Sequence, residues 1–153
     1  MAVIHPNPFD LKTMMLAKHA QHVVLIHFPI ALFVTAVIFD VIAHLSKRVS
    51  LADTAYYNLL VAAISTIPVL ATGILAWQYQ LDGQRLKGTL LQHLVLGNFS
   101  AAMIWLAWWL HFRKRRGASG ASLYRFVLEG VGLLAVILTG HLGGFLSGVN
   151  LPT

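Results

Sequence analysis

No cysteine occurs among the 153 residues, which excludes disulfides, iron–sulfur clusters, thiolate-ligated zinc and c-type haem attachment by this chain. Charge is scarce as well. Asp, Glu, Lys and Arg together make up 10% of the sequence, whereas an ordinary soluble domain carries about 25%. The first 22 residues contain no basic region leading an apolar stretch to a small-residue cleavage site, so no cleavable signal peptide is expected.

What is abundant is apolar. Hydrophobic residues make up 58% of the chain, with mean hydropathy +0.73. A single domain of this size leaves much of its surface exposed and has no interior large enough for so much apolar side chain. The excess must face lipid, and the predicted class is all-α: an integral membrane four-helix bundle.

Four runs, at 23–45, 55–77, 90–112 and 124–146, each approach the ~20 residues that cross a hydrocarbon core. They define one transmembrane domain over 23–153. Residues 1–22 form an N-terminal extension in which 9–22 read as a short interfacial helix, with Phe9, Leu11, Met14, Met15 and Leu16 available to the membrane surface. The connections SKRVSLADT, QYQLDGQRLKG and RKRRGASGAS carry most of the charge and the turn-forming residues. Tyr56, Tyr57, Trp77, Tyr79, Trp108, Trp109 and Tyr124 mark the ends of the runs and read as interfacial anchors.

Lysine and arginine set the expected orientation. Lys47, Arg48, Arg113, Lys114, Arg115, Arg116 and Arg125 fall on one side, and Lys12, Lys18, Arg85 and Lys87 on the other. The heavier side is expected in the cytoplasm. Both termini are then outside, periplasmic if the source is a Gram-negative bacterium, in which case a multi-pass protein of the bacterial inner membrane is expected. The net charge of +6 is concentrated in these short clusters, so no nucleic-acid partner is expected.

Eight histidines are present. His27, His93 and His141 fall near the same end of the first, third and fourth runs, at similar heights given 1.5 Å of rise per residue. A polar ionisable side chain inside a span is a functional-site hypothesis by default. Gly73, Gly97, Gly140 and Gly144 share the layer, with Gly143; they permit close helix packing, and equally leave room for a flat macrocycle. The only acid near this level is Asp82, whereas zinc or non-haem iron sites usually recruit a carboxylate. Haem b needs two imidazoles and an apolar slot, with basic residues for its propionates, and Arg85 and Lys87 lie in the adjoining connection.

Elsewhere in the spans, Asp40 precedes His44 and Arg125 precedes Glu129 by one turn, so each charge is expected to find its partner along its own helix near the cytoplasmic face, with a proton path as the lesser alternative. By analogy with two-haem bundles, His44 and His111 near the inner ends of the first and third helices could form a second site, but His111, beside the RKRR cluster, reads more simply as an interface residue. Pro29 and Pro68 are expected to kink or end the first two helices.

The phrases HVVLIHFPIAL at 22–32, ATGILAW at 71–77, HLVLG at 93–97 and TGHLGGFLSGV at 139–149 together resemble the bacterial membrane family catalogued as domain of unknown function 2231. The resemblance implies a four-helix membrane domain of the kind found beside cytochrome c or Rieske-type modules and regarded as a candidate haem protein. The family's histidines match His22, His27, His93 and His141. Val23 stands where the family commonly has proline, and Phe145-Leu146-Ser147 departs from its usual leucine, valine and tyrosine stretch.

The expected function is therefore a membrane b-type cytochrome subunit that carries electrons through a bis-histidine haem rather than a stand-alone catalyst. Its expected partners are other redox-complex subunits, a periplasmic cytochrome or a quinone. The alternatives are a cofactor-free anchor subunit of a respiratory or photosynthetic complex and a metal-ion or proton transporter.

Overall fold

The computed structural model describes residues 18–116 and 122–148. Among them are five helices: α1 (Lys18–Leu25), α2 (His27–Ser46), α3 (Val49–Gln80), α4 (Gly88–Arg115) and α5 (Ser122–Leu146). Four stretches are long and apolar enough to cross a membrane: Gln21–Ser46, Val49–Tyr79, Gly88–Arg115 and Leu123–Leu146. Side chains such as Ile38, Val61, Ile67, Leu134 and Ile137 are at least half exposed, and in the bilayer these faces contact lipid.

Pro29 explains why α1 and α2 are separate. It has no N–H for the carbonyl of Leu25, and the helix breaks at Ile26, past which only a long Ile30 N–H to Ile26 carbonyl bond of 3.4 Å continues the path. Pro68, by contrast, lies inside the unbroken α3. Most of the expected interfacial segment at 9–22 lies outside the described residues. From Lys18 onward it belongs to α1, which runs past residue 22 into the bundle and packs on α3.

The second span starts earlier than its hydropathy suggests. Lys47 closes α2 in the left-handed conformation (φ 59°), so the chain reverses at once, and the SLADT stretch expected to be a connection forms the first turns of α3. Asp53, in that stretch, pairs with Arg115 at the end of α4 at 2.8 Å.

Burial reveals an internal repeat. On α2 the buried residues include Pro29, Phe33, Ala36 and Asp40, and on α4 Ser100, Ile104, Ala107 and His111; the spacing is the same and the offset constant. The second helices agree: Ala55, Leu59, Ala62 and Thr66 of α3 match Arg125, Glu129, Gly132 and Val136 of α5, all buried. The bundle is thus two hairpins, α1–α2–α3 and α4–α5, in tandem. Both first helices start at the same end, so the two halves are related as parallel repeats about an axis along the membrane normal. Counterparts Asp40 and His111 approach to 3.9 Å, which places that axis between them.

The core where the hairpins meet is built of Phe33, Leu59, Ala62, Ala63, Ile104, Ala107, Leu128 and Val136. Alanines let the backbones approach, and Phe33 fills the space so created. Gly132 is where this packing is tightest: a Cβ there would stand 2.9 Å from Phe33 Cζ and 3.3 Å from Met103 Cβ. Met103 Cβ cannot move without its backbone, so Gly132→Ala is expected to cost about 1–3 kcal/mol through overpacking. Thermal unfolding in detergent measures it; an unchanged midpoint would contradict the packing described. Trp105 adds a hydrogen bond between the hairpins, its Nε1–H donating to Thr66 Oγ1 at 3.1 Å.

Of the expected aromatic anchors, Tyr57, Tyr79, Trp109 and Tyr124 are well exposed. Trp108 is different. It is half-buried, packs against the core and stacks on Phe112 at 5.6 Å, and its indole nitrogen has no partner among the described residues. Its position on α4, one residue after buried Ala107, turns it inward, so run-end placement alone misassigns it.

Candidate functional site

Two groups of polar side chains sit at opposite ends of the bundle. The histidine end comprises the starts of α1 and α4 and the ends of α3 and α5, and the basic end the reverse.

At the histidine end, His22 on α1 turns its ring onto α3, and His93 on α4 turns its ring onto α5. His22 Nδ1 lies 3.1 Å from the carbonyl oxygen of Val69 and 3.3 Å from Thr72 Oγ1. His93 Nδ1 lies 3.1 Å from the carbonyl oxygen of Thr139. A carbonyl only accepts, so in both rings Nδ1 carries the proton and Nε2 is the acceptor nitrogen. Each ring also covers a glycine one turn beyond its carbonyl partner: a Cβ on Gly73 would meet His22 Cε1 at 3.0 Å, and one on Gly143 would meet His93 Cε1 at 3.2 Å. The two histidines are counterparts in the repeat, and at heptad spacing they extend the buried stripes of Pro29 and Ala36 on α2 and Ser100 and Ala107 on α4.

The other residues singled out in the sequence are placed differently. His27 is exposed at the start of α2, and its counterpart Asn98 bonds its own helix at Leu94. His141 is exposed, edge-on to Phe145 at 5.0 Å, beside a surface groove lined by Leu91, Val95 and Leu138. Gly97 sits against Thr139 at the α4–α5 contact, Gly140 faces open space and Gly144 is half-buried. Arg85 and Lys87 are exposed in the α3–α4 connection. The structure therefore brings His22 and His93, rather than His27, His93 and His141, into equivalent settings.

At the basic end lies a buried polar cluster that crosses helices. Arg125 on α5 donates from Nε at 2.9 Å and from Nη2 at 2.8 Å to Asp40 Oδ2 on α2. His111 Nε2 on α4 is 2.8 Å from Glu129 Oε1 on α5. All four are at most 6% exposed. Asp40, His111 and Glu129 each offer a donor atom within 4.8 Å of the others.

This arrangement corrects two expectations. Asp40 and Arg125 do not pair along their own helices with His44 and Glu129, and His111 is not at the interface. A charge turned toward lipid is costly, so both helices rotate their charges to the shared interior, where the partner across the contact is nearer. His44, on the exposed side of α2, packs edge-on to Phe126 instead. The spacing Asp40, His111 and Glu129 held no signal by itself; the repeat, which makes Asp40 and His111 counterparts beside its axis, would have found them.

These features define an all-α membrane protein of four spans, built as a tandem hairpin repeat with a histidine pair at one end and a buried charged cluster at the other. Residues 18–149 match the family model described as "Predicted membrane protein (DUF2231)", and the chain belongs to that family. Neither the curated proteins nor the solved structures contain a match.

Proposed function

We propose that the chain is a b-type cytochrome subunit of a bacterial cytoplasmic membrane, with its basic end in the cytoplasm, in which His22 and His93 hold haem b near the periplasmic side. The observation that carries this reading is the matched setting of the two rings. A metal-ligating histidine almost always donates its second ring nitrogen to a carbonyl or carboxylate, which fixes the tautomer and makes the other nitrogen a better ligand. Both rings have that arrangement. The glycine beneath each ring leaves the space that a Cβ would fill, and two neutral nitrogen donors with no acid grouped beside them among the described residues suit haem iron better than zinc.

Haem b would supply a one-electron iron couple. The protein's own part is to orient the two imidazoles through the carbonyls of Val69 and Thr139, to keep the surroundings apolar, and to offer Arg85 and Lys87 to the propionates. Electron exchange would be with a quinone, a periplasmic cytochrome or neighbouring subunits of a redox complex.

The visible spectrum of the detergent-purified protein, expressed with ample haem, tests the proposal before and after dithionite. Sharp reduced bands of a six-coordinate haem b are expected. Colourless protein under those conditions would overturn the reading and leave a cofactor-free anchor in which the same two bonds tie helices together.

A further inference from the structure

We infer that Glu129 is a neutral carboxylic acid whose proton is shared with His111, forming a proton-binding site inside the bundle that exchanges with solution at the basic end. This inference concerns the opposite end from the histidine pair and does not depend on haem.

The first argument is the charge count. Within the cluster Asp40 and Glu129 are acids, Arg125 is always cationic, and His111 is neutral unless it gains a proton. With both acids ionised the buried group carries one net negative charge, which is expensive to hold away from water. One added proton brings it to neutrality. A divalent cation on Asp40, His111 and Glu129 would instead leave a net positive charge beside the Arg125 guanidinium, which already occupies Asp40 Oδ2 through two bonds.

Hydrogen bonding decides where the proton sits. Glu129 is 1% exposed, and its Oε2 is buried with no hydrogen-bond partner among the described residues. An ionised carboxylate with one bare oxygen pays heavily for lost hydration, whereas the carbonyl oxygen of a neutral acid tolerates it far better. Glu129 Oε1–H then donates to His111 Nε2 across the 2.8 Å contact. Asp40 has no need of the proton, because Arg125 neutralises it.

The route out follows the same residues. His111 Nε2 is 3.9 Å from Asp40 Oδ2, and Asp40 and Arg125 also line a cleft of about 250 Å³ with His44, Lys47, Arg48 and Lys114. The charged and titratable groups facing the site are thus Asp40 and His44 from α2, His111 and Lys114 from α4, and Arg125 on the helix of Glu129. From the end of α2 and the start of α3, Lys47, Arg48, Val49 and Ala52 also line the cleft. Water in the cleft reaches Asp40 first and the His111–Glu129 pair behind it.

Infrared spectroscopy of the full chain in lipid at neutral pH tests the inference. A protonated-carboxyl C=O stretch is expected, shifted after exchange into D2O and lost in Glu129→Gln. Asp40→Asn should also abolish it, because Arg125 then requires Glu129 as its counter-charge; this second variant reads the count without altering Glu129. The inference is overturned if the band is absent from the parent protein, fails to shift in D2O, or persists in either variant. Manganese or zinc should leave the band in place, and stoichiometric metal uptake that removes it would replace the proton site with a metal site.

Discussion

Replacing Arg125 with methionine is expected to lower the unfolding free energy by about 3–5 kcal/mol, the loss typical when one partner of a buried ion pair is removed. The guanidinium is the only cation in the cluster and holds Asp40 through two bonds at 2.8 and 2.9 Å. Without it, buried Asp40 loses the partner of both its ion-pair bonds beside a second buried acid, and the nearest remaining cation is Lys114 at the cleft. Asp40→Asn is expected to cost clearly less. Arg125 then lies one turn from Glu129 on its own helix, close enough for an i,i+4 pair, and asparagine still offers an oxygen to the guanidinium. Unfolding of the purified variants in mixed micelles, followed by circular dichroism, gives both values. Equal losses, or a larger loss for Asp40→Asn, would mean that Arg125 is compensated from elsewhere and that the charge count is wrong.

That asymmetry depends on contacts which no linear reading supplies. The four spans follow from hydropathy because lipid demands long apolar helices whatever their partners. Which face of each helix turns inward depends on its neighbours. Asp40 has one candidate partner along the chain, His44, and another across the bundle, Arg125; spacing alone favours the first, and only the packed structure selects the second. His111, next to four basic residues, reads as interfacial in the sequence for the same reason. Its burial follows from being in register with Ile104 and Ala107.

The repeat is legible in the sequence. HVVLIHFPIAL and HLVLGNFSAAM share His22 with His93, Val24 with Val95, Leu25 with Leu96, Phe28 with Phe99 and Ala31 with Ala102. Proline is a poor marker for such a repeat: Pro29 and Pro68 belong to the first hairpin, and Ser100 stands at the counterpart of Pro29. Aligning the halves on histidine and phenylalanine selects His22, whose ring the structure places over Gly73, in preference to His27, whose counterpart is Asn98. Depth along the span groups His93 with Gly73 and Gly143, and in the structure His93 lies against Gly143 while Gly73 lies against His22. Depth gives no information about rotation, and rotation separates His93 from His141.

The repeat also yields the sharpest prediction for the haem proposal. Because His22 and His93 are equivalent by position, tautomer and underlying glycine, His22→Ala and His93→Ala should each abolish the six-coordinate bands, whereas His27→Ala and His141→Ala should retain them. Gly73→Val and Gly143→Val should act from behind the rings, since the added side chain would press on imidazoles already at 3.0 and 3.2 Å from a Cβ position. Disturbed supporting contacts typically lower metal affinity by about 10–100-fold, so these variants should lose haem on dilution while their circular dichroism stays helical. The comparison within each pair is the strictest part. If His93→Ala loses the bands and His22→Ala keeps them, the second ligand lies outside the symmetric pair. If His27→Ala or His141→Ala loses them with the helices intact, a ring that the structure leaves exposed must turn inward to bind. Loss in both members of the symmetric pair and in neither exposed histidine is the pattern that a two-fold site produces.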